Sequence, residues 1–182
     1  AVDGGDARAD VLSCELDGVV HRVLDVKLPA RKVTEKDVAE ARARLEQLKK
    51  KEKLNPRERA ALVRDPETIE RFEKQKTDPG FLIEMHVLRL GDVAIATNPF
   101  ELFLDYGIRI KARSAALQTF CAPITCGYSG YLPTAKAVRA RLHVRDRGRL
   151  GFSGNYGAGV ASNEVGPEGG QALVDRTVEC IR

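Results

Sequence analysis

The chain has 182 residues, 43% hydrophobic and 31% charged, with a formal net charge of +4, which suits one domain with its own core and excludes a disordered polymer. No run of about 18 apolar residues occurs, so no segment reads as a membrane-spanning helix. Aromatic residues make up 5% and no reader motif accompanies the arginines, so no nucleic-acid partner is expected.

Residues 19–28 alternate imperfectly and are rich in Val and Leu, with Arg22, Asp25 and Lys27 interspersed, which predicts a strand ended by Pro29. Then the period changes. Thr34 with Asp37 reads as an N-terminal cap, and Val38, Ala41, Leu45 and Leu48 recur at helical spacing, predicting a helix over 35–51 with a solvated charged face. Asn55-Pro56 starts another helix with Glu58 in its first turn, and Asp65-Pro66-Glu67 is expected to start one more, running to residue 75. Residues 35–76 thus read as a charged helical hairpin.

Asp78-Pro79-Gly80 is a turn, and 81–90 is an apolar run suited to a buried strand. Gly91-Asp92 reads as a hairpin turn into a strand at 93–97. A helix is expected from Pro99 to about residue 113, then a strand at 118–125 in which Pro123 argues for an edge position. A Gly- and Tyr-rich turn follows, and after Gly169-Gly170 a closing helix spans 171–181. The expected class is α/β, a mixed sheet flanked by helices, in one domain or fragment whose site-bearing part is 81–182. Met85 is the single methionine and no leader precedes the rest, so the chain is expected to be a processed product or a fragment.

Cys14, Cys121, Cys126 and Cys180 have neither C-x-x-C nor zinc-ribbon spacing. If Cys121 and Cys126 share a strand, their odd separation points them to opposite faces, so free thiols are expected. The basic stretch 139–149 reads as a solvated loop that could meet phosphate or an anionic membrane surface. His86 lies in the predicted apolar strand and reads as a satisfied structural histidine; His21, His86 and His143 show no paired metal-ligand spacing.

Glu101 follows Asn98-Pro99 at the third position of the expected helix, where a carboxylate can accept from free backbone N–H groups with no further role. Asn55-Pro56-Arg57-Glu58 repeats that start. Glu101 differs in following an apolar strand, and strand-to-helix turns are where α/β proteins place ligands. Tyr128 and Tyr131 flank Ser129-Gly130. Their phenols can donate hydrogen bonds, stabilise an oxyanion or ligate a metal, or simply point to water.

Residues Gly91 to Glu101, the loop Gly127-Tyr128-Ser129-Gly130-Tyr131, and Tyr156 with Ala161-Ser162 and Gly166-Pro167 together resemble, in order, three stretches of the neutral, non-lysosomal ceramidases. The resemblance covers roughly residues 81–182. It implies that Glu101 and Tyr131 are zinc ligands, that Tyr128 is a catalytic pocket residue, and that the reaction is zinc-dependent hydrolysis of a small-molecule or lipid amide. It also implies an exported or membrane-peripheral setting. In that family two histidines from an earlier part of the chain complete the site, so activity is expected to need a missing N-terminal half or another chain. Phe100 stands where the family more often has glycine, and 139–149 looks like an insertion. The alternative expectation is a non-catalytic interaction module of the same architecture, using the basic stretch to meet a partner or an anionic surface.

Overall fold

The computed structural model describes residues 12–16, 18–146 and 157–182, with side chains over 18–140 and 157–182. The elements run β1 (Leu12–Leu16), β2 (Val19–Pro29), α1 (Glu35–Lys49), α2 (Pro56–Lys74), β3 (Gly80–Leu90), β4 (Val93–Thr97), β5 (Glu101–Leu102), α3 (Leu104–Arg113), β6 (Gln118–Ala122), β7 (Tyr131–Leu132), α4 (Ala135–Asp146) and α5 (Pro167–Ile181), with a 3-10 turn at Val160–Ser162. The class is α/β. The main sheet has the order β1-β2-β3-β4-β6, antiparallel from β1 to β4 and parallel between β4 and β6. None of the described helices is long and apolar enough to cross a membrane.

Alternation decides which face of the sheet is buried. Leu24 and Leu28 on β2, Ile83, Met85 and Val87 on β3, and Ala94 and Ala96 on β4 are all buried, and the register sets Leu24 opposite Met85 and Val87 opposite Ala96. Helices α3 and α5 cover this face with Tyr106, Ile110, Leu173, Val174, Val178 and Ile181. Each large apolar side chain so buried contributes about 1.5–3 kcal/mol. Arg22 donates to the Cys180 carbonyl and Arg89 to that of Ile181, at 3.0 Å for the latter. The two cations thereby meet the negative end of α5.

The closing helix begins at Pro167, earlier than the two glycines suggest. A Cβ on Gly169 would overlap Val165 and the Pro29 carbonyl, and one on Gly170 would overlap the Tyr106 ring. These glycines therefore serve close packing inside the helix and do not delay its start.

The opposite face of the sheet carries Leu82, Leu90 and Phe120 at 63%, 42% and 51% exposure. No described helix packs extensively against it.

In the hairpin, Thr34 with Asp37 and Asn55 with Glu58 form reciprocal capping boxes. Instead of restarting at Pro66, α2 runs through it. An interior proline costs about 3 kcal/mol through its missing N–H and its ring. The helix is held across it: Asp65 is 1% exposed and takes a two-pronged pair from Arg44 of α1, both bonds 2.7 Å. Arg71 docks the hairpin by donating to the carbonyls of Val160 and Asn163, each at 2.9 Å, and by pairing with Glu164 at 3.1 Å. The basic stretch is also not a loop through most of its length, because α4 carries it to Asp146; residues 147–149 lie outside the described residues.

Candidate functional site

β4, α3 and β6 form a parallel strand-helix-strand unit whose strands end side by side. Ligands in such sheets bind beyond the carboxyl ends of the strands. Past those ends the two chains stay laddered. Asn98 N donates to Ala122 O at 3.1 Å, Thr125 N to Asn98 O at 3.0 Å, Ser129 N to Pro99 O at 2.8 Å and Glu101 N to Gly130 O at 2.8 Å. The ladder closes as the parallel pair β5 and β7, with Glu101 opposite Tyr131. Directly opposed residues project to the same side of a ladder, so the carboxylate and the phenol leave the backbone together.

This arrangement corrects the expected helix from Pro99. Asn98 Oδ1 accepts from Phe100 N at 3.1 Å and turns the chain, Phe100 is fully buried, and the Glu101 N–H is used by Gly130. Helix α3 starts only at Leu104, and its N-cap Phe103 makes no side-chain cap bond. The strand expected to reach residue 125 also stops at Ala122. It does occupy the sheet edge, with Pro123 just beyond it. Cys121 and Cys126 therefore do not share a strand; they and Cys180 are free thiols.

Tyr128, 64% exposed, donates its hydroxyl to Glu101 Oε1 at 2.8 Å. The Tyr131 ring stands edge-on to Phe103, with centroids 6.4 Å apart and planes at 87°. It also covers Gly157, where any Cβ would overlap it. Gly157 has a φ of 77°, a second reason for glycine there. The Gly130–Asn163 bridge brings the segment 157–167 beside this loop. Tyr156 lies outside the described residues. The structure thus sets Glu101 opposite Tyr131 in a strand pair and the Tyr128 hydroxyl on the Glu101 carboxylate. They do not line the cleft of about 610 Å³ that Arg31, Asp37, Arg44, Arg139 and Glu168 help to form elsewhere.

A further group of chemically capable side chains lies on the uncovered face of the sheet. Ligand atoms of Glu84, His86 and Cys126 all lie within 4.8 Å of one another. His86 Nε2 is 3.1 Å from Glu84 Oε1, and His86 Nδ1 is 2.9 Å from His21 Nε2. His86 is thus satisfied, as expected of a structural histidine, yet it also belongs to a potential ligand set. The Cys126 thiol is pushed up, first by burial and then by the Glu84 charge. Glu84 itself is held below the usual carboxylate range, first by its hydrogen bond to His86. The sequence reading missed this group because its members come from β3 and a remote loop. The available signal was the alternation that turns Glu84 and His86 outward.

No family model, curated protein or solved structure matches the chain.

Proposed function

We propose that the chain is the site-bearing part of a zinc-dependent amide hydrolase similar to neutral ceramidases, acting on a small-molecule or lipid amide. The observation that carries the reading is the parallel pairing that sets Glu101 opposite Tyr131, with the Tyr128 hydroxyl on the Glu101 carboxylate. Glu101 and Tyr131 would hold the metal. A carboxylate and a phenolate suit zinc but supply only two of the roughly three protein ligands of a catalytic centre. The remainder would come from another segment of the protein or from another chain.

When bound, zinc supplies a Lewis acid and a water that ionises near neutral pH. Tyr128, anchored on Oε1, orients the carboxylate and leaves its second oxygen for an ion. Released from Oε1, the phenol could instead donate its one hydrogen to a carbonyl oxygen that gains charge.

The test is elemental analysis and amidase assay of the full-length protein. Glu101→Gln and Tyr131→Phe are each expected to lose about one zinc per chain together with amide hydrolysis. Unchanged zinc in both variants would overturn the assignment. Salt-sensitive binding to anionic vesicles with no zinc dependence would instead favour an interaction module acting through the basic stretch 139–149, which α4 begins to present with exposed Arg139.

A further inference from the structure

We propose that Glu84, His86 and Cys126 form a second cation site, for a divalent ion of the zinc class, independent of Glu101 and Tyr131. Ligands held about 2.0–2.3 Å from a tetrahedral ion stand roughly 3.3–3.8 Å from one another. The 3.1 Å between His86 Nε2 and Glu84 Oε1 and the 4.8 Å limit for the whole set bracket that range, so side-chain adjustments of about 1 Å close the site. One thiolate, one imidazole and one carboxylate select zinc or cobalt over calcium and magnesium, which take oxygen ligands. Glu84 and Cys126 are exposed, so an ion can enter and a fourth position stays open to water.

The surroundings are those of a ligating histidine. Such a residue binds through one ring nitrogen and holds its orientation through the other. The antiparallel register sets Val23 opposite His86 and His21 opposite Leu88, so His21 and His86 are diagonal neighbours on one face. Their rings stack with centroids 5.1 Å apart. With Nε2 on the ion, His86 Nδ1–H donates to His21 Nε2, which makes His21 a positioning residue. Binding deprotonates Cys126, and the proton leaves to solvent.

The ion would tie the loop that carries Tyr128 to β3. Cys126 sits at a φ of 61° and Ile124 at 55°, backbone angles that L-residues other than Asn and Asp seldom adopt. Both residues are exposed, so burial of their side chains does not account for these angles.

The test is a titration of the demetallated full-length protein with Co²⁺. A thiolate-to-cobalt charge-transfer band is expected, lost in Cys126→Ser and kept in Glu101→Gln. His86→Ala and Glu84→Gln are expected to weaken cobalt binding strongly. His21→Gln is expected to weaken it about 10–100-fold with the band retained, an effect that a purely structural histidine would not have. Absence of the band in the parent protein overturns the proposal, as does a band that survives in Cys126→Ser or an affinity unchanged by Glu84→Gln. A failure of the Glu101–Tyr131 reading leaves all these signals in place, so the two are separable.

Discussion

The tetrads Asn55-Pro56-Arg57-Glu58 and Asn98-Pro99-Phe100-Glu101 differ only at their third residue, and they fold differently. In the first, Asn55 Oδ1 accepts from Glu58 N and Glu58 Oε2 accepts from Asn55 N, each at 3.0 Å, so the carboxylate is tied to the start of its own helix. In the second, Asn98 accepts from Phe100 N, the Glu101 N–H goes to Gly130, and the carboxylate accepts from Tyr128. Arg57 is exposed and can follow a solvated helix; Phe100 is fully buried and must follow the core. The same capping signal is therefore overridden where an apolar anchor and an adjacent strand compete for it. The consequence is functional, because Glu101 is released from capping and can meet other side chains.

Removing the anchor should produce the largest effect. Phe100→Ala is expected to cost about 3–5 kcal/mol, the range for emptying a buried aromatic position. Arg57→Ala should stay within about 0.5 kcal/mol, as at most exposed sites. Urea unfolding of both variants checks this, and a Phe100→Ala cost below about 1 kcal/mol would show that the core does not dictate the path of 98–101.

The two asparagines sharpen the contrast at smaller scale. Asn55→Ala should cost about 1 kcal/mol, the usual value of an N-cap. Asn98 is 3% exposed, and Asn98→Ala leaves the buried Phe100 N–H without its acceptor, a loss of about 1–3 kcal/mol. Asn98 is thus expected to exceed Asn55 in the same unfolding series. The reverse order would mean that water or a shifted backbone replaces the lost bond at Phe100.

The tetrads also show which features of the fold could be read in advance. Signals confined to a few consecutive residues were legible: the caps at Thr34 and Asn55, the β3-β4 turn at Gly91-Asp92, and the imperfect alternation of β2, whereas β3, expected as a buried apolar run, proves to alternate with one face exposed. Features set by partners far along the chain were not. Pro66 is carried by Arg44 pairing with Asp65, Gly169 and Gly170 are fitted to Val165 and Tyr106, and Glu101 lies opposite Tyr131 only because two parallel strands end together. Glu101, Tyr128 and Tyr131 came into view together through a resemblance. His21 and His86, 65 positions apart, meet through strand register, which alternation alone does not specify.

The smallest expected effect concerns the carboxylate still used for capping. Glu58 is held below its usual range, first by a hydrogen bond from Lys51 and then by the Asn55 backbone N–H. A carboxyl whose folded value is depressed contributes stability that is fully present above its unfolded value, about 4.3, and is lost as pH falls through the folded value. The stability gap between the parent and Glu58→Gln should accordingly be present near neutral pH and close in acid. It should also shrink with salt, because Lys51 and Glu58 meet at 2.6 Å at the surface, where counterions screen the pair. The bond from Tyr128 to Glu101 has a neutral donor, so salt should weaken it less. Unfolding midpoints across pH at low and high salt decide the matter: a gap that stays constant into acid would mean that Glu58 acts through packing and not through its charge.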